Sequence, residues 1–341
     1  MIRKFFLAVL LILVVCAALA AWFALGNATS FEGKSQALYI PSSGNTKTTV
    51  MKELEDKKML SSPTAFSMLA DILGYWDQIK PGKYVIDKGT STLDLLRILK
   101  NGRQTPVKLV INKFRTREDI AGYIGRQMEL DSTAILDFFN HPDSAKIFDL
   151  DTNTIVTTVI PNTYEMYWTT PAHKVIRRLF DERNKFWNEE RESKLNVIGL
   201  DKTQTYILAS IVEEETNKND EKPVMASVYL NRLKKGMTLS ADPTVKFALR
   251  NFGLKRITIP LIRESAASAY NTYMNKGLPP GPICTPSIKT IDAVLNAAQT
   301  DYLFFCARAD FSGYHSFASN ETDHFRNARE YQKALDSLRI K

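Results

Sequence analysis

Three consecutive glutamates, Glu213, Glu214 and Glu215, close an otherwise apolar stretch, Tyr206-Ile207-Leu208-Ala209-Ser210-Ile211-Val212. At about 100° per residue, Ile207, Leu208, Ile211 and Val212 form one stripe of a helix predicted over 203–216. Continuing that stripe by i+4 from Ile211 and by i+3 from Val212 reaches Glu215. Glu213 falls nearly opposite, and Glu214 sits at the margin. One carboxyl is thereby turned toward the interior, where loss of hydration raises its pKa. Moving a glutamate from about 4.3 to about 6–7 costs about 3 kcal/mol and yields an acid poised for proton transfer near neutral pH. The plain alternative is a helix that ends at Val212 and leaves all three glutamates solvated.

Other segments supply polar and aromatic groups. Asp242-Pro243-Thr244-Val245 offers a carboxylate and a hydroxyl at a helix start, and Pro161-Asn162-Thr163-Tyr164 an amide beside an aromatic ring. Tyr270-Asn271-Thr272-Tyr273 precedes a stiff loop, Gly277-Leu278-Pro279-Pro280-Gly281-Pro282. Sugar sites need aromatic faces and polar groups held on unyielding backbone, but ordinary turns use the same residues. His315 and His324 are too far apart for a local metal motif, and His315 is read as a group that hydrogen-bonds substrate or lines the cleft. Neither C-x-x-C nor a Cys/His metal spacing occurs, so no metal or cofactor is expected.

The elements that must position these groups fall in an α+β pattern. Arg3-Lys4 precedes an uncharged apolar run from Phe5 to Leu25, long enough at ~1.5 Å per residue to span a ~30 Å hydrocarbon core. The positive residues keep 1–4 in the cytoplasm and send the rest outward, making 5–25 a single-pass anchor in the bacterial cytoplasmic membrane. A cleaved signal peptide would need a shorter run, and this one continues through Trp22 and Phe23. A linker over 26–36 follows, then strands at 37–40, 82–86 and 107–111 interleaved with helices at 48–60, 64–73, 90–100 and from Thr116. Such strand–helix–helix–strand units resemble the LysM type of glycan-binding module, although a plain spacer has the same rhythm. Residues 37–150 are assigned to this subdomain and 151–341 to the domain that carries the chemistry. In the latter, helices are predicted from Thr170-Pro171 with a charged face to Lys194, over 203–216, over 221–235, and from Asp242 to a stop at Gly253. A strand at 302–307 and a terminal helix follow.

The net charge of +8 is spread thinly, with no Lys/Arg block and no nucleic-acid motif. It suits an acidic polymer or a membrane surface rather than nucleic acid. Of the three cysteines, Cys16 lies in the apolar run, and Cys284 and Cys306 are read as two free thiols, with a bridge between them the alternative in an oxidising compartment.

Taken in order, the pieces resemble the endolytic murein transglycosylases (MltG/YceG-like). They are the apolar anchor, Gly82-Lys83-Tyr84, Pro161-Asn162-Thr163-Tyr164, Ala209-Ser210-Ile211-Val212-Glu213-Glu214-Glu215-Thr216, Asn231-Arg232-Leu233, Asp242-Pro243-Thr244-Val245, Tyr270-Asn271-Thr272-Tyr273, the Gly277–Pro282 loop, and Tyr302-Leu303-Phe304-Phe305 leading to His315-Ser316-Phe317. The resemblance implies cleavage of peptidoglycan between N-acetylmuramic acid and N-acetylglucosamine without water, leaving 1,6-anhydro ends and trimming nascent strands, with cell-wall synthases as candidate partners. In that family the second glutamate of a Glu-x-Glu pair is the catalytic acid, which maps to Glu215. Glu213, Asn162, Tyr164, Asp242, Thr244, Tyr270, Asn271, Thr272 and His315 are the expected substrate contacts. Asn162 stands where the family often has Asp, and Cys284-Thr285-Pro286-Ser287 replaces a commoner Asn-Pro-Gly ending, which bears on fine contacts. A hydrolytic muramidase would instead need Asp242 or another carboxylate as partner to Glu215, and a non-catalytic wall-binding scaffold would leave Glu215 structural.

Overall fold

The computed structural model describes residues 2–337, without the side chains at 2, 16, 17, 19 and 20. In chain order it contains α1 (Ile2–Leu25), β1 (Ser35–Ile40), α2 (Lys47–Asp56), α3 (Pro63–Ile72), β2 (Gly82–Asp87), α4 (Thr92–Asn101), β3 (Val107–Val110), α5 (Arg117–Gln127), α6 (Ser132–Asn140) and α7 (Pro142–Lys146). There follow β4 (Thr163–Met166), α8 (Ala172–Phe186), α9 (Glu189–Ile198), α10 (Lys202–Glu215), α11 (Lys222–Lys234), α12 (Asp242–Ala248), α13 (Ile259–Glu264), α14 (Ile288–Leu295), β5 (Phe304–Ala307), β6 (His315–Ala318) and α15 (Glu321–Ser337). Helices interspersed with two-stranded sheets make the chain α+β, as its pattern predicts.

Two compact units divide the chain. The first comprises residues up to Leu109 together with Gly125–Asp131 and Tyr164–Pro171. Its β1 and β2 pair antiparallel, with Leu38 opposite Tyr84 and Ile40 opposite Gly82, and α2 and α3 lie between them in sequence. Local signals set the helix ends. Ser62 caps α3 ahead of Pro63, and Gly102 takes the left-handed conformation (φ 67°) that stops α4. Leu38, Leu54, Phe66, Tyr84, Leu95 and Leu99 fill the core. Among the described residues no helix is long and apolar enough to cross a membrane, and the span expected over 5–25 includes positions 16, 17, 19 and 20, whose side chains lie outside that set.

The second unit comprises Val110–Ile124, Ser132–Thr163 and the chain from Ala172 onward. It does not begin at the predicted 150/151 boundary. The Thr285 N–H donates to the Phe114 carbonyl (2.8 Å), the Phe114 N–H to Thr285 Oγ1 (2.9 Å), and Thr285 Oγ1 to the Asn112 carbonyl (3.0 Å), so residues just after 110 are stitched to the segment that leads into α14. At its centre, α10 packs against α9, α11, α12 and α14. Asp201 and Gln204 form a reciprocal capping box at its start. Thr205 through Val212 are all buried, so the helix is enclosed on every side rather than along one stripe.

Two further predictions are corrected. The helix expected to run to Lys194 is two helices, because Asn188 turns extended and its side chain caps α9 by accepting from the Arg191 N–H. The helix from Asp242 stops at Ala248 and not at Gly253, since Arg250 adopts a positive φ of 52°. Helices α13 and α14 lie where no element was predicted, with Ser287 capping α14. Cys284, buried, and Cys306, half-buried, are both free thiols.

Candidate active site

Helix α10 ends at Glu215 because Thr216 leaves the helical region (φ −144°, ψ 141°). That stop delivers three carboxyls at once, and each meets different neighbours. Glu215 Oε1 accepts a 2.6 Å hydrogen bond from the Tyr229 hydroxyl, which α11 supplies. Burial pushes its pKa up to about 7. The Tyr229 bond works the other way by favouring the ionised form, the negative charge of Asp242 raises the pKa further, and Lys246 and Arg232 oppose it. Burial wins, so near neutral pH this carboxyl holds a proton that it can give up. Tyr273 donates its hydroxyl proton to Asp242 Oδ1, fixing that carboxylate at the start of α12. Arg232 is pinned by donating from Nε to the Leu303 carbonyl (2.6 Å) and from Nη1 to the Leu239 carbonyl (2.7 Å).

Glu213 and Glu214 are not solvated, contrary to the helical-wheel expectation. Glu213 Oε2 accepts from Lys222 Nζ (3.1 Å), from Ser287 Oγ (3.0 Å) and from the Thr290 hydroxyl. Burial alone would raise its pKa, but these three donors hold the carboxyl below its ordinary value. Lys222 and Glu213 side chains are only 5% and 14% exposed, so the pair is an internal tie among α10, α11 and α14. Glu214 is bound by Lys113 Nζ (3.1 Å) and by the Arg115 guanidinium (2.9 Å from Nη2). Of the three, only Glu215 is left without a cationic partner in ion-pair range among the described residues.

The remaining predicted residues fall in several different surroundings. Asp242 joins the Glu215 environment. Thr244, Asn271 and Thr272 are fully enclosed, and their polar atoms serve the protein. Thr244 Oγ1 donates to the Ala241 carbonyl (2.7 Å), Thr272 Oγ1 accepts from the Ala241 N–H (3.0 Å), and Asn271 Nδ2 donates to the Ile262 carbonyl (2.9 Å) and Ser265 Oγ (2.8 Å). They brace the segment that carries Tyr273 and the N-terminus of α12. Tyr270 is half-buried against Phe247, ring centroids 4.7 Å apart, and its hydroxyl crowds Gly281. A Cβ at Gly281 would meet the Asn153 carbonyl oxygen at 2.4 Å, which explains a glycine in that proline loop. His315 is tied to Glu221, which accepts from its N–H (2.7 Å) and lies 3.0 Å from Nδ1. Asn162 is an exposed loop residue whose amide oxygen accepts from the Thr163 N–H (2.8 Å), and Tyr164 is buried within β4 in the first unit. Tyr229, Tyr273, Lys222 and Glu221 were missed. Tyr229 sits two residues before the Asn231-Arg232 pair, the one local signal for it. Among the described residues no cluster of three or more His, Cys, Asp or Glu is arranged to hold a metal ion.

The fold is a mixed α+β unit built around the buried helix α10, and the sequence profile of the YceG-like family matches residues 38–330. The chain belongs to that family. It is 27% identical over 312 residues to an endolytic murein transglycosylase of Streptococcus pneumoniae, an alignment covering 82% of this chain and 55% of that protein. It is 34% identical over 142 residues to an endolytic murein transglycosylase of Bacillus subtilis, covering 41% of this chain and 38% of that one. The chain thus spans about half the length, or less, of these relatives. A crystal structure of a yceG-like protein from Listeria monocytogenes superposes with a TM-score of 0.57 at 25% identity, covering 86% of this chain and 98% of that one.

The two charge states of Glu215 make stability depend on pH. Below about pH 4.5 it is neutral in both folded and unfolded chains; as pH rises from 4.5 to about 7 the unfolded chain ionises first, and stability falls by on the order of 3 kcal/mol before levelling off. Glu215→Gln should therefore match wild type in urea midpoint at pH 4.5 and exceed it at pH 8, and parallel pH slopes for the two proteins would contradict the assignment. Glu213→Gln should behave oppositely, losing about 3–5 kcal/mol at pH 7 because it leaves Lys222 buried without its counter-charge.

Proposed function

We propose that this chain is an endolytic murein transglycosylase that cuts peptidoglycan glycan strands between N-acetylmuramic acid and N-acetylglucosamine, with Glu215 as its general acid and then its general base. The observation that carries this reading is the Glu215 carboxyl, pushed up to about 7 by burial and held by Tyr229. Neutral Glu215 gives its proton to the glycosidic oxygen as the bond to the muramyl C1 breaks, and the N-acetylglucosamine end departs with a hydroxyl. The carboxylate left behind then takes the proton from the muramyl C6 hydroxyl as that oxygen bonds to C1. The ring closes as a 1,6-anhydro end, Glu215 is again neutral, and no water is consumed.

An ordinary glycosidase needs a second carboxylate to attack the sugar or activate water. Here the nucleophile is already attached to the substrate, so one carboxyl suffices. Asp242, held by Tyr273, acts through its charge to keep Glu215 protonated. In this reading Thr244, Asn271 and Thr272 position the α12 start, and Tyr270 and Asp242 line the substrate path.

The first unit is read as a LysM-like glycan-binding module, supported by the order β1-α2-α3-β2 with β1 and β2 antiparallel. Helix α1 is read as the membrane anchor, leaving the catalytic unit outside the cytoplasm, with cell-wall synthases as candidate partners. Its apolar side chains stand exposed, Phe5 at 70% and Trp22 at 76%, which suits a lipid surround.

Murein digested in isotopically heavy water should yield muramyl ends one water lighter than hydrolysed ends and free of heavy oxygen by mass spectrometry. Heavy oxygen at new ends would mean hydrolysis, with Asp242 the first residue to test. Glu215→Gln should lower cleavage by at least ~10², the usual scale for general acid–base catalysis. For the anchor, a reporter fused after Lys341 should be active only outside the cytoplasm, with residues 1–25 retained; a shortened soluble form as the main species would refute it.

A further inference from the structure

An open groove lies at the end of α10 opposite Glu215. The groove, about 980 Å³, is lined by Asp201, Lys202 and Thr203 at the start of α10, by Arg183 and Phe180 of α8, and by Phe148, among others. Fourteen residues at ~1.5 Å rise put roughly 20 Å between it and Glu215, and none of the residues around Glu215 lines it.

Arg183 is the unusual member. It is only 7% exposed, its Nε has no hydrogen-bond partner, and no carboxylate lies in ion-pair range among the described residues. The guanidinium lies 5.8 Å from the Phe180 ring centroid. Asp201 is occupied in capping α10, accepting from the Gln204 N–H at 2.7 Å, and Glu192 is paired with Lys202. A buried guanidinium with no carboxylate in contact is costly, and the more distant Asp201, which already caps α10, offsets that cost only in part.

We infer that this groove is a binding site for a carboxylate-bearing peptide, the stem peptide of a murein strand, held while the sugar chain is cut at the far end of α10. The inference rests on the murein-cutting reading for its choice of peptide. Phe148 and Phe180, with ring centroids 4.4 Å apart, give the groove an apolar wall suited to amino-acid side chains. Asp149 on its edge is exposed and suits the amine of such a stem, while it disfavours a polyanionic phosphate.

The test is a titration of the full chain carrying Glu215→Gln with a synthetic stem peptide, with a peptide-free glycan oligomer, and with inorganic phosphate. The stem peptide should bind saturably, and Arg183→Met should weaken it by at least about tenfold while leaving glycan affinity unchanged. Because Arg183→Met can disturb packing, Ser193→Trp at the exposed mouth is the companion variant, expected to block the peptide with melting unchanged. A peptide that fails to bind, or that binds both variants as it binds the parent, overturns the inference, as does phosphate binding more tightly than peptide. Saturable, Arg183-dependent peptide binding by a chain whose wild type leaves murein uncut would instead sink the murein-cutting reading and leave the groove's assignment standing.

Discussion

The 2.6 Å hydrogen bond from the Tyr229 hydroxyl to Glu215 joins two helices at a partly buried point. A carboxyl in such a place resists ionisation, and its single neutral donor softens that resistance without cancelling it. Much of the second unit serves this balance. Helix α10 is enclosed from Thr205 to Val212, so its end cannot drift outward to rehydrate the acid. The Thr244–Thr272 contact (2.9 Å) and the enclosed Asn271 hold Asp242 and Tyr273 where their charge and dipole act on it.

The neighbouring glutamates show why the same residue type three times over does not give three acids. Glu213 is neutralised by a buried lysine and two hydroxyls, and Glu214 by a lysine and an arginine. Both are spent on holding α10 to α11, α14 and the 113–115 segment. Their charges being compensated, neither adds much to the repulsion that opposes ionisation of Glu215.

What could be read from the sequence was mostly what neighbours in sequence decide. The ends of α3 and α4 follow from Ser62-Pro63 and Asn101-Gly102, because caps act over a single turn. Glu215 was reachable by periodicity, but that route assumed a one-sided helix. With α10 buried all round, the distinction among the glutamates comes from Tyr229, Lys222 and Thr290, between 9 and 77 positions away in sequence. Thr244, Asn271 and Thr272 read as sugar contacts because hydroxyls and amides suit a turn and a ligand equally, and only burial separates the two. The limit of the second unit was likewise hidden, since it depends on Thr285 meeting residues 112 and 114.

That last contact bears on when during synthesis the second unit can be completed. Residues 112–114 bond a partner 171–173 positions later, and Glu213 waits for Ser287 and Thr290. A chain that has emerged only as far as α12 therefore holds Glu213 opposite Lys222 with two of its donors missing, and α10 lacks the wall that α14 provides. Such long-range closures come late in folding. The end of α10 acquires its full set of ties only when nearly all of the polypeptide has been made, so a stalled or truncated product carries the three glutamates without the partners that tell Glu213 apart from Glu215.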